Sequence, residues 1–101
     1  GMTPEGLDSA VHAQRLSPFT PGILDTRGWA LTHNGQAKRG VQILHMASSL
    51  APAQGDIRLH LAQALASAGD KDGARKELTE LTKLDKASPI RVEAEKLLAT
   101  L

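Results

Sequence analysis

The chain contains no cysteine and no tyrosine, and it has one tryptophan and one phenylalanine among 101 residues. Without cysteine it can form no disulfide, and neither thiolate catalysis nor a cysteine-ligated metal site is open to it. The scarcity of aromatic residues argues against a sheet protein, because strands favour aromatic and β-branched side chains. Alanine and leucine supply most of the apolar content, and both are strong helix formers. The composition therefore predicts close-packed helices.

The sequence also lacks a long apolar run and a strong charge of either sign. No stretch approaches the roughly 20 apolar residues that cross a bilayer, and no signal peptide is visible. The formal net charge is +1, with both signs mixed along the chain, which disfavours a nucleic-acid-binding surface. We therefore expect no nucleic-acid partner and no direct membrane insertion. Because Gly1-Met2 reads as a tag remnant on a fragment, the compartment of the parent protein stays open.

A repeat of 34 residues is the strongest pattern in the chain. The residues that match at this distance are Leu16 and Leu50, Pro18 and Pro52, Ala30 and Ala64, Leu31 and Leu65, and Gly35 and Gly69. A period of this length is typical of a helix-turn-helix unit that buries its apolar face only by stacking on neighbouring units. The period therefore predicts stacked helical hairpins.

The order of residues within each period resembles the pattern of the tetratricopeptide repeat (TPR) family. The first full repeat matches at Leu24, Gly28, Leu31, Gly35, Leu44, Ala47, Leu50 and Pro52, and the second at Leu61, Ala62, Leu65, Gly69, Ala74, Leu78, Leu81 and Leu84. Gly40 departs from the pattern, which has a close-packing alanine there. The resemblance implies an all-α fold of antiparallel TPR-type hairpins stacked in a right-handed superhelix of about six helices.

The same resemblance implies one domain over residues 1–101. Its parts are a half repeat, helix B, at 1–20, full repeats at 21–54 and 55–88, and a capping helix at 89–101. The first helix would lack its hairpin partner, so we expect modest stability and a possible homodimer through residues 4–17.

Helix boundaries can be placed from the residues themselves. Apolar residues at steps of three and four predict helices over 57–68 and 71–84. Gly69 suits the left-handed residue that ends a helix, and Asp70 or Asp72 can cap the next one.

The last helix should begin at Ser88-Pro89, a cap followed by proline at the first helical position. Its expected packing side is Ile90, Val92, Ala94, Leu97, Leu98 and Leu101. Its expected solvent-exposed side is Arg91, Glu93, Glu95 and Lys96. One apolar and one charged side are typical of a helix that closes the end of a stack.

The TPR resemblance implies a concave groove lined by the first helix of each hairpin. The groove residues that it implies are Asp25, Trp29, Thr32, His33 and Gln36 in the first repeat, and Leu59, Gln63, Ala66 and Ser67 in the second. Trp29 is either an anchor for a partner segment, since Trp is enriched at binding hot spots, or packed against a preceding helix. The carboxylate clamp of chaperone-binding TPRs is disfavoured, because Asp25 and Trp29 stand where it needs Lys and Asn.

No motif for catalysis or cofactor binding is visible. The histidines His12, His33, His45 and His60 lack metal-ligand spacing and are expected on helix surfaces. The glycines form no phosphate-binding loop, no nucleophile motif occurs, and the carboxylates lie near Lys and Arg as on a solvated face. We therefore expect no metal, no cofactor and no enzymatic activity.

These patterns favour a scaffold that binds a partner protein or peptide. The alternative is a structural capping segment that ends a longer array and has no partner site of its own. The phrase at 23–31 resembles the C-terminal repeats of bacterial TPR lipoproteins in PEP-CTERM exopolysaccharide systems. That resemblance implies the C-terminal part of a larger bacterial protein linked to exopolysaccharide or protein export, with a periplasmic or lipid-anchored parent.

Overall fold

The computed structural model describes residues 20–101, which contain helices and no strands. Five helices follow one another: α1 Pro21–His33, α2 Ala37–Leu50, α3 Gly55–Ser67, α4 Lys71–Leu81 and α5 Pro89–Thr100. None of the five is both long and apolar enough to span a membrane. The predicted all-α fold class is confirmed, whereas the helix expected within 4–17 lies outside the described residues.

The helices form two layers. Each helix packs against the next one along the chain, and α3 also contacts both α1 and α5. One layer therefore holds α1, α3 and α5, and the other holds α2 and α4. This arrangement is typical of stacked hairpins, in which each unit covers the apolar side of its neighbour.

Small apolar clusters hold the junctions between helices. The buried members are Leu24, Ala47 and Ile57 between α1, α2 and α3; Leu44, Leu61 and Ala64 between α2 and α3; and Ala62, Leu78, Leu81 and Ala94 between α3, α4 and α5. All of them come from apolar positions at steps of three and four, so helical periodicity accounts for the core.

Two glycines let α1 and α2 approach closely. A Cβ atom added to Gly28 would lie 2.6 Å from Leu44 Cγ, and one added to Gly40 would lie 2.8 Å from the Gly28 carbonyl oxygen. The Thr32 hydroxyl fills the space beside Gly40 and donates to the Gly28 carbonyl oxygen at 2.8 Å. The close crossing explains why Gly40 replaces the alanine of the TPR pattern.

The turn and cap predictions were largely confirmed. Gly35 and Gly69 have φ angles of 82° and 93°, the left-handed conformation that glycine adopts without steric cost. Asp70 caps α4, where its Oδ1 accepts from the Gly73 amide at 2.9 Å. Ser88 precedes Pro89 as predicted, but its side chain makes no capping hydrogen bond.

The predicted helix over 71–84 was too long. The helix ends at Leu81, and Leu84 is exposed to 38% instead of buried. The backbone is more tightly wound there, because the Leu84 amide donates to the Leu81 carbonyl oxygen three residues back. The Thr82 hydroxyl likewise donates to the Thr79 carbonyl oxygen. Such i to i+3 bonding is common in the last turn of a helix.

The last helix has the predicted two sides with one exception. Ile90, Leu97, Leu98 and Leu101 pack against the cluster around Ala94. Val92 was expected on that side and is exposed to 41%. Val92 lies on the solvent-exposed side because it is two residues before the buried Ala94, which is a rotation of about 200° around the helix axis.

Candidate functional site

Trp29 lies where α1 meets α3, and its indole ring contacts two imidazole rings. His60 of α3 stacks on it with centroids 4.3 Å apart and an interplanar angle of 25°. His33 lies one turn further along α1 and meets the indole edge-on, also at 4.3 Å. Both geometries are favourable ring arrangements. The alternative of packing against a preceding helix concerns residues that lie outside the described part.

A polar contact joins the same two helices beside the rings. His60 Nδ1 lies 2.7 Å from Asp25 Oδ1, with side chains exposed to 27% and 16%. A carboxylate only accepts hydrogen bonds, so the Nδ1 atom carries the hydrogen. The bond fixes the orientation of the His60 ring against Trp29. Within residues 20–101 the second carboxylate oxygen, Asp25 Oδ2, has no hydrogen-bond partner.

The sequence analysis missed His60. It was expected on the surface, and this was wrong, because the ring is half-buried between Asp25 and Trp29. The repeat pattern did not select His60, because the residue 34 positions before it is Thr26 and not the groove residue Asp25. The signal that could have found it is the helical step, because His60 lies one turn before Gln63 on the same face of α3.

Other predicted groove residues lie elsewhere. Thr32 fits against Gly40 of α2, and Leu59 packs on the cluster around Ala62 beneath α5. Gln36 and Ser67 line a shallow depression at the hairpin turns, together with Gly35, Ala37, Lys38, Arg39 and Ala68. The structure therefore brings together only part of the predicted set.

We call the surface around Trp29, which is the candidate binding site, the Trp29 groove. It consists of Asp25, Trp29 and His33 on α1 and of Asp56, His60 and Gln63 on α3. Asp56 lies one turn before His60 and is exposed. Gln63 is half-buried, and its Oε1 atom is buried without a hydrogen-bond partner in residues 20–101.

The groove offers stacking, hydrogen bonding and negative charge. In the part of the chain that the structure describes, no group of three or more histidines and carboxylates is placed to hold a metal ion. Because its two halves come from different hairpins, the site exists only when the hairpins are stacked.

Family comparison agrees with this architecture. The family model described as tetratricopeptide repeat matches residues 31–101, which is most of the chain. The chain belongs to the tetratricopeptide repeat family. Searches of curated proteins and of solved structures gave no match. In this TPR stack, Asp25 and Trp29 precede the matched residues, whereas His60 and Gln63 fall within them.

A second surface of the TPR stack is the outer face of α2. It is an open depression of about 820 Å³ lined by Val41, Gln42, His45, Met46, Ser49 and Leu50. Met46 is exposed to 41% and Leu50 to 54%. The residues 34 positions later, on and just beyond α4, are Arg75, Lys76, Thr79, Glu80, Lys83 and Leu84. The apolar character therefore belongs to the first repeat alone.

Ion pairs cover the polar side of the second TPR. Arg58 Nε lies 3.4 Å from Glu77 Oε1, a contact that lacks hydrogen-bond geometry. Glu80 Oε2 pairs with Lys83 Nζ, three residues further along the chain, at 2.8 Å. The hydrogen bond from Lys83, and next its positive charge, lower the pKa of Glu80. The Glu80–Lys83 pair is exposed, so it adds little stability.

Proposed function

We propose that this chain is a protein-interaction scaffold that binds a segment of a partner protein in the Trp29 groove. Family membership supports the general role, because TPR repeats commonly bind protein partners and are typically non-enzymatic. The observation that carries the specific site is the half-buried Trp29 held between His33 and His60 of two different repeats. An indole held in place loses little conformational freedom on binding and offers a large apolar surface, which is typical of a hot-spot residue.

Trp29→Ala is expected to weaken partner binding at least about tenfold, as truncation of a hot-spot aromatic does. The partner would first be recovered with the intact protein, and its affinity then measured by calorimetry. Because Trp29 is half-buried, thermal unfolding of the variant must be recorded as well. A loss of binding counts only if the variant remains folded at the temperature of measurement.

A matched pair of histidine variants separates binding from folding. His33 and His45 are both exposed and helical, but His33 contacts Trp29 whereas His45 lies on the outer face of α2. His33→Ala should weaken binding by a few-fold, and His45→Ala should leave it unchanged. Unchanged affinity in both Trp29→Ala and His33→Ala would contradict the groove as the binding site.

A second candidate function is that of a segment closing one end of a repeat stack. The charged side of α5 favours this function, since Arg91 pairs with Glu95 at 3.4 Å and Lys96 with Glu93 at 3.5 Å. The opposite side of the helix covers the apolar cluster of α3 and α4.

Removal of residues 89–101 is expected to expose Ala62, Leu78 and Leu81 and to cause aggregation, because exposed contiguous apolar surface promotes association. Sedimentation velocity measures this directly. If the truncated chain stayed monomeric, the capping role would be wrong. If it aggregated yet its soluble fraction kept the same partner, both roles would hold together.

We further propose that the chain belongs to a larger bacterial protein linked to exopolysaccharide or protein export. The support is the resemblance of residues 23–31 to repeats of such lipoproteins. Self-association through residues 4–17 also stays a proposal, since these residues lie outside the described part. Sedimentation equilibrium that shows only monomer at high concentration would rule it out.

A further inference from the structure

The fixed charges of the Trp29 groove have one sign. Asp25 and Asp56 are its carboxylates, and neither α1 nor α3 contributes a lysine or arginine to it. The single basic residue of α1, Arg27, lines a separate depression with Ile23, Thr26 and Ala30. That of α3, Arg58, faces Glu77 of α4. The charges of residues 20–101 therefore give the groove a negative potential, although the whole chain carries a formal net charge of +1.

The carboxylate oxygens of the groove are hydrogen-bond acceptors. Asp25 uses Oδ1 for His60, and its Oδ2 is unpaired within residues 20–101. In the same range Asp56 has neither an ion pair nor a side-chain hydrogen bond. A ligand that supplies donors would satisfy these atoms, whereas one that supplies acceptors would not.

Trp29 adds a half-buried indole ring, of which one face stacks on His60. The face of an indole ring attracts ammonium and guanidinium groups through its quadrupole. A guanidinium is planar, carries five donors and no acceptor, and stacks on aromatic rings. One arginine side chain could thus contact the indole and a neighbouring carboxylate together.

We infer that the segment bound in the Trp29 groove is basic and contacts the groove through arginine. This inference rests on the proposed function and names the chemistry of the partner at the same site. The negative charge of Asp25 and Asp56, the unpaired carboxylate oxygens and the neighbouring indole ring favour one ligand type. A segment ending in acidic residues would instead be repelled by Asp25 and Asp56.

The test is selection of short random peptides by the whole chain. Peptides that bind wild type more tightly than His33→Ala are taken as groove ligands, and their composition is compared with the unselected library. Arginine enrichment among them is the expected result. Synthetic capped versions are then titrated while fluorescence of Trp29 is followed, which is specific because the chain has no other tryptophan.

Charge removal at Asp25 gives the quantitative test. Asp25→Asn keeps an oxygen that can accept from His60 and removes the charge, so affinity for an arginine peptide should fall about fivefold. Replacing the peptide arginine by neutral citrulline should cause a similar loss, and added salt should weaken binding. Asp72→Asn removes the same charge from an exposed position on α4 and should change nothing.

The outcomes separate this inference from the function on which it rests. Groove ligands without arginine enrichment, or equal affinities for arginine and citrulline peptides, would overturn the basic partner and leave a groove-binding scaffold standing. Recovery of no peptide that depends on His33 would count against the groove itself.

Discussion

Replacing Leu44 with alanine is expected to lower the free energy of unfolding by about 3 kcal/mol. Leu44 is fully buried, contacts the cluster of Leu61 and Ala64, and lies directly against the backbone of Gly28. Neighbouring helices cannot collapse into the space that the leucine leaves, because the Gly28 crossing already holds α1 and α2 at close range. Since small domains have only about 5–15 kcal/mol of stability, a large fraction would be lost.

Leu50→Ala is the matched control for this substitution. It makes the same change in the same helix, but Leu50 is 54% exposed, so its effect should stay within about 0.5 kcal/mol. Urea unfolding followed by circular dichroism measures both variants. Equal destabilisation of the two would show that the junction between α2 and α3 is not the core of the first repeat.

Gly40→Ala is expected to destabilise the chain by about 2 kcal/mol, even though alanine has the higher helix propensity by about 1 kcal/mol. The added Cβ would meet the Thr32 hydroxyl and lie 2.8 Å from the Gly28 carbonyl oxygen and 3.2 Å from the Thr32 amide. Two of these three contacts are to backbone, so α1 and α2 must separate. The clash outweighs the gain in propensity.

Gly22→Ala tests the same substitution without the clash. Gly22 lies in the first turn of α1, and within residues 20–101 an added Cβ would have no atom within 4 Å beyond its chain neighbours and its own helix backbone. It should therefore leave stability unchanged or raise it by up to about 1 kcal/mol. Thermal unfolding of both variants gives the comparison, and a stable Gly40→Ala protein would contradict the close crossing.

This crossing also matters for the proposed binding site. Trp29 follows Gly28 directly, so any shift of α1 away from α2 moves the indole relative to His60 of α3. Gly40→Ala should then alter the fluorescence of the single tryptophan even at temperatures where the chain remains folded. The packing of the first repeat and the shape of the groove are thus linked through one helix.

The 34-residue period and the helical spacing of apolar residues predicted the helices, the turn glycines and the family without reference to coordinates. These features are local, because a hairpin turn needs Gly35 or Gly69 whatever surrounds it. The cap at Asp70 is local in the same way. Helix ends were predicted less accurately than helix positions. The helix predicted over 71–84 ends at Leu81, so apolar periodicity alone does not show where a helix ends.

The composition of the groove depended on contacts between repeats. The repeat pattern selected Leu59, although rotation of α3 places that side chain against α5 and brings His60 to Asp25 and Trp29 instead. Asp25 and His60 are 35 positions apart in the sequence, yet Asp25 Oδ1 lies 2.7 Å from His60 Nδ1. No local pattern in the sequence predicts such a contact. The sequence by itself determined the all-α fold and the repeat unit. The tertiary structure alone decided which side chains surround Trp29, because the rotation of each helix is set by packing against its neighbours.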